Sequence, residues 1–201
     1  MEPNILFKLK NNISPSAISE LSKRYNENEI IFKKGIETAI YTVLIGLFLK
    51  IKENKSYETL LNSIEGPEIY SILNQNIGTQ IENNPTFLTQ GLKPLHMLFT
   101  HKKGRISEMI SNEIGIQSET AIAVFNLSIL LIISHLKDHQ KKLKELQIEL
   151  EEHKTNLLNE IPVGIRVLLG YPTFENTALT IVTTTKKNKS FRSSFCNFFK
   201  N

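Results

Sequence analysis

Thr120-Ala121-Ile122-Ala123-Val124-Phe125-Asn126-Leu127-Ser128-Ile129-Leu130-Leu131-Ile132-Ile133-Ser134-His135-Leu136 runs for 17 residues without a formal charge, and its reading decides the fold. A membrane-spanning helix takes about 20 apolar residues, with a working range of about 17–25. This run lies at the short end and carries Asn126, Ser128, Ser134 and His135, so a helix buried in a protein core fits it better. Ile122, Val124, Phe125, Leu127, Ile129, Leu130, Leu131, Ile132 and Ile133 occupy more than one helical face, which places the helix at the centre of the core. Burying these side chains at about 2 kcal/mol each gives a gross term of ~18 kcal/mol before chain entropy. Left in water, they would form a large sticky patch.

A second run, Thr38 to Leu49, is uncharged for 12 residues. It belongs to a helix that Asn28 can cap and that reaches about Lys52. Ile31, Phe32, Ile36, Ala39, Ile40, Val43, Leu44, Leu47, Phe48 and Ile51 recur at helical spacing along it. Gly35 and Gly46 lie inside and each costs up to about 1 kcal/mol against alanine, which implies close helix–helix approach. The two runs also echo each other: Glu37-Thr38-Ala39-Ile40 recurs as Glu119-Thr120-Ala121-Ile122. Two helices of similar design can pack as a pseudo-symmetric pair, and chance identity explains the echo equally well.

Shorter helices surround the two runs. Ser14 caps and Pro15 opens a helix over 16–26, with Ile18, Leu21 and Tyr25 on one face. Ser56 starts another through Ile64, stopped at Gly66-Pro67, and a further one spans 67–76. Pro85 begins a turn with Phe87 and Leu88, and Gly91 separates it from the segment Lys93–Phe99. His101-Lys102-Lys103-Gly104 reads as a basic loop. Ile106, Met109, Ile110 and Ile114 then mark a helix whose left-handed cap is Gly115. Lys141–Asn159 is charged, with Leu143, Leu146, Leu150, His153 and Leu157 as a short seam. Fewer than three clean heptads favour an amphipathic helix over a coiled coil. A last short helix ends at Gly170 and Pro172.

After Pro172 the composition changes. Ala178–Thr183 has strand propensity without a partner strand. The predicted architecture is therefore an all-α, multi-helical single-domain bundle over residues 5–172 with two central apolar helices. Residues 173–201 form a basic aromatic tail, expected to be mobile and disordered.

Charge is uneven along the chain. The net charge is +4, but residues 178–201 hold Lys186, Lys187, Lys189, Arg192 and Lys200 and no acid, which leaves residues 1–177 at −1. Only four arginines occur, widely separated, whereas nucleic-acid readers present a basic, arginine-bearing face. That pattern argues against a nucleic-acid partner. The opening Met1–Lys10 lacks a secretory signal, because Lys8 and Lys10 interrupt any apolar run, so the expected compartment is the cytoplasm. The single cysteine, Cys196, excludes an internal disulfide and a cysteine zinc site.

Candidate chemistry is sparse. His135 and His139 share a helical face, but zinc needs a third ligand and zincins place glutamate where Leu136 stands. A solvated or capping role is expected for both, and whether they bind metal stays open. His96 and His101 flank Phe99 near Lys102-Lys103-Gly104-Arg105, where exposed amides, the lysines and the arginine could hold an anion at a helix start, yet phosphate-loop spacing is missing and a basic turn is the simpler reading. In the tail, Phe191, Phe195, Phe198 and Phe199 alternate with Arg192 and Lys200, and the aromatics could line one helical face that docks in an apolar groove or touches an anionic membrane. Incidental phenylalanines in a disordered tail are the competing reading. No catalytic set, cofactor motif or metal site is expected.

The ordered set of segments resembles a known bacterial family. Phe32-Lys33-Lys34-Gly35-Ile36-Glu37-Thr38-Ala39-Ile40 leads into Val43-Leu44-Ile45-Gly46-Leu47. There follow Gly91-Leu92-Lys93-Pro94-Leu95-His96-Met97-Leu98-Phe99, Ile114-Gly115-Ile116, the apolar run to Lys137, and Ile161-Pro162-Val163-Gly164-Ile165 with Leu168-Leu169-Gly170. This set, over about residues 5–172, resembles the family catalogued as domain of unknown function 937, or YidB-like. Thr42 and Ile133 stand where that family carries proline and glycine. The resemblance implies an all-helical fold, no established enzymatic activity and no catalytic residues to carry over. Some relatives continue into a peptidoglycan-binding domain of the outer-membrane-protein-A type, which leaves an envelope role open. The expected function is a non-enzymatic helical module that binds a protein partner or itself, through a groove or the Lys141–Asn159 helix. The alternative is an accessory protein at the inner face of the cell envelope whose tail makes peripheral membrane contact.

Overall fold

Capping residues set the helix starts. Ser14 Oγ accepts from the Ala17 N–H at 3.1 Å with Pro15 next in line, and Asn28 Oδ1 accepts from the N–H groups of Ile30 and Ile31. Gly115 and Gly170 take left-handed conformations, φ 84° and 90°, and close two later helices as their sequence positions predict. The computed structural model describes residues 5–11, 13–64 and 86–171. Its helices are α1 (Ile5–Asn11), α2 (Pro15–Arg24), α3 (Glu29–Lys50), α4 (Asn54–Leu61), α5 (Leu92–Phe99), α6 (Lys103–Ile114), α7 (Ser118–Asp138), α8 (Leu143–Glu160) and α9 (Val163–Leu169). Tight 3-10 turns occupy Leu88–Gly91 and Thr100–Lys102. Among the described residues there is no strand, and the fold is an all-α helical bundle. The helix expected at 67–76, the strand-prone 178–183 and the whole tail lie outside the described residues.

The two apolar helices, α3 and α7, form the central pair. Ala39, Val43, Leu44 and Ile45 of α3 and Ile129, Leu130 and Ile132 of α7 are all fully buried. Around them pack α2, α5, α6 and α8, and one connected hydrophobic cluster runs through the described helices. The burial of α3 exceeds its expected stripe: Tyr41, Thr42 and Ile45 are buried as well, and α8 packs along α3. Core hydroxyls are satisfied locally. Thr42 Oγ1 donates to the Thr38 carbonyl (2.8 Å) and Ser128 Oγ to the Val124 carbonyl (2.7 Å).

Several expectations are corrected. The short α1, which the sequence reading passes over, buries Ile5 and Leu9 one helical turn apart. Another helix does come close at Gly46, but through a side chain. A Cβ there would lie 2.3 Å from Phe99 Cζ, so the glycine makes room for an aromatic ring from α5, itself packed on Phe125 with ring centroids 5.3 Å apart. Gly91 does not separate two segments. It is a right-handed residue that joins the 3-10 turn to α5 and lies against the Asn126 backbone. The basic loop 101–104 is instead helical: the 3-10 turn leads directly into α6, and the corner before it is made by Thr100 at φ 48°. The two helices that carry the echo pack together, but the echoed positions differ in burial, since Ile40 is 1% exposed and Ile122 51%. Ile122, expected in the core, sits where α5 and α6 leave α7 uncovered.

Candidate functional site

The leucines of α8 are consumed inside the chain. Leu143, Leu146, Leu150, Leu157 and Leu158 are buried, α8 packs along α3, and His153 is only half-buried. No leucine seam is left on this helix for a partner; Ile148 is its exposed large apolar side chain.

The histidine pair occupies the C-terminal end of α7. The rings of His135 and His139 lie 4.1 Å apart, as their shared face predicts, and the His139 amide caps the helix by donating to the His135 carbonyl. His139 is exposed, but His135 is 3% exposed, which corrects the solvated role expected for it. Burial first, then His139, Lys8 and Lys141, push its pKa down from 6.5 to about 4, against the opposing pull of Glu149. The imidazole is neutral at pH 7. Beside it, Glu149 accepts from the Ile5 N–H and pairs with Lys141 at 2.8 Å. Burial raises the Glu149 pKa, but Lys141 and the Ile5 amide outweigh that and hold it below the ordinary carboxylate value. This corner ties α1, the α7–α8 connection and α8 together. Among the described residues no group of three metal-ligating side chains forms.

The basic corner before α6 divides its charges. His96 and His101 are exposed on either side of buried Phe99, and Lys102 Nζ donates to the Leu168 carbonyl at 2.8 Å. Lys103 turns toward a recess of about 220 Å³ between α5, α6 and α7. Leu92 and Leu95 line it from α5, Lys103, Gly104 and Ser107 from α6, and Ile122, Phe125 and Asn126 from α7. Leu95 and Phe125 are buried, whereas Leu92 and Ile122 are 40% and 51% exposed, so apolar surface continues from the recess to the outside.

Asn126 is the polar group in this lining that the fold leaves unanswered. It is 5% exposed, its Oδ1 has no hydrogen-bond partner, and none is formed by its Nδ2. Gly91 holds it in place, because a Cβ there would meet the Asn126 carbonyl oxygen at 2.7 Å and its Cα at 2.9 Å. Ser107 is already engaged, donating to the Gly104 carbonyl at 2.9 Å. Lys103 makes no ion pair among the described residues. A second recess, polar and about 610 Å³, is lined by Arg24, Tyr25, Asn26, Gln117, Glu119 and Thr120. Across it the Gln117 N–H donates to Glu27 Oε1 at 2.7 Å, which fastens the α2–α3 turn to the start of α7.

The apolar recess is about half as large again as an apolar cavity of ~150 Å³ that holds benzene. It therefore suits one large side chain or one ring, with an amide and a cation beside it. Sequence reasoning treats Asn126 only as a polar interruption and Ile122 as core, so it misses this site. The five tail residues singled out from the sequence, Phe191, Arg192, Phe195, Phe198 and Phe199, lie outside the described residues. Among the described residues α7 is long and apolar enough to cross a membrane, yet 83% of its most apolar window is buried by the protein. No protein-family model, curated protein or solved structure matches the chain.

Proposed function

We propose that this chain is a non-enzymatic, cytoplasmic interaction module, and that it takes up a protein partner at the recess between α5, α6 and α7. The observation that carries this reading is the continuous apolar surface formed by the recess and the exposed Leu92 and Ile122. Contiguous apolar surface at a concave site is the feature that docking uses. Consumption of the α8 leucines within the bundle favours the groove over that helix.

A photo-crosslinking residue at position 122 tests the reading in living cells. A discrete crosslinked protein is expected from position 122 and none from Glu152, which is exposed on α8. Identical products from both positions, or none from 122, would remove it. The alternative of an envelope accessory protein draws on the tail sequence and on the family resemblance. Liposome co-sedimentation unchanged by serine at Phe195, Phe198 and Phe199 would eliminate that alternative.

A further inference from the structure

We infer that the recess captures the C-terminal residue of its partner, an apolar side chain together with its free carboxylate. This deepens the docking reading above and rests on it. Size is the first argument. About 220 Å³ is below the ~300–1,000 Å³ of drug-sized pockets, so the site accepts one anchoring side chain rather than a cofactor or an extended segment.

Charge is the second. From Thr86 to Ser107 the chain carries Lys93, Lys102, Lys103 and Arg105 and no acid. The next carboxylate, Glu108, is exposed and does not line the recess, while Glu119 on α7 faces the other recess beside Arg24 and Tyr25. Lys103 has no anionic partner among the described residues, and the buried Asn126 amide forms no hydrogen bond. Asn126 Oδ1 is an acceptor and answers an N–H, so Lys103 is the group that faces an anion; this cation and acceptor beside an apolar floor match a ligand that is apolar at one end and anionic at the other, with a backbone N–H between them.

A terminal residue supplies both within a few bonds of each other. An internal acidic residue would have to bring its apolar neighbour along, and the volume does not hold two side chains. A free aromatic acid would fill the floor but leave Leu92 and Ile122 uncovered, whereas the residues preceding a chain terminus extend over them. Capture of a terminal carboxylate beside a pocket for the last side chain is an established mode of peptide recognition.

The test uses the full chain and a fluorescein-labelled peptide ending in Leu-Phe, as the free acid and as the C-terminal amide, with 3-phenylpropanoate as the small-acid probe. Fluorescence anisotropy gives peptide affinities, and amide shifts at Gly104 and Asn126 report where each probe sits. The acid peptide is expected to bind about tenfold or more tighter than the amide, as for a charged hydrogen bond. Lys103→Met should erase that difference without moving the melting temperature. Lys93→Met, at an exposed residue that does not line the recess, should preserve it. Equal binding of acid and amide at the recess would overturn the carboxylate and leave the docking reading standing. Binding of 3-phenylpropanoate as tight as the peptide would overturn the choice of a protein terminus. If neither peptide binds, the inference fails; if position 122 also gives no crosslink, the docking reading fails with it.

Discussion

Acidification should weaken this bundle through His135 before it protonates most carboxylates. The folded-state pKa is about 4 and the ordinary value 6.5, so the unfolded chain binds a proton that the folded chain refuses. A basic group with a depressed folded pKa contributes stability that is whole above the unfolded pKa and is lost as pH falls toward the folded one. The full shift corresponds to about 3 kcal/mol, and the part lost between pH 7 and pH 5 is about 2 kcal/mol. Lys8 from α1, Lys141 beyond α7 and the neighbouring His139 all oppose a charge at this position, and Glu149 from α8 offsets them in part. Urea unfolding at pH 7, 6 and 5 measures the effect, with His135→Leu as the comparison because leucine cannot titrate. The wild-type stability should fall about 2 kcal/mol further than that of the variant over this range. Parallel pH profiles would show that His135 is solvated in the folded state and would refute its placement between α1, α7 and α8.

The glycines and one strained corner give further tests, all read by thermal or urea unfolding. Gly46→Ala gains helix propensity of up to about 1 kcal/mol but drives a methyl into Phe99, so a net loss of about 1–2 kcal/mol is expected. Gly164→Ala meets only the ends of the Glu113 and Met109 side chains, which can swing away, and should be neutral or stabilising by up to ~1 kcal/mol. Equal losses at the two sites would contradict the packing described here. Gly91→Ala confronts the Asn126 backbone, which cannot yield, and should cost about 2 kcal/mol or more. Thr100 holds φ 48°, a region disfavoured for a β-branched residue, so Thr100→Gly should stabilise by about 1 kcal/mol; a loss of stability would show that the corner is unstrained.

The helices that periodicity and caps define were legible from the residues alone. Asn28, Ser14, Gly115 and Gly170 mark ends by chemistry confined to one turn, and the structure uses each as expected. What escaped depends on neighbours distant in sequence. Ile122 has the same local pattern as Ile40, and only the gap between α5 and α6 leaves it exposed. Gly46 signals that something comes close, but no local rule identifies it as the Phe99 ring. His135 reads as the polar end of a helix until Lys8, Lys141 and Glu149 close over it. The recess escaped for the same reason, since Leu92, Lys103 and Asn126 come from three helices and no spacing along the chain connects them.

Hydrogen exchange in detergent-free buffer tests the burial of α7 against α3 most directly. Amides of Ala121–Leu136 and of Ala39–Leu47 should exchange only through global unfolding, with one common opening free energy. Exchange of the α7 amides orders of magnitude faster than those of α3, with protection restored only by detergent or lipid, would contradict the account.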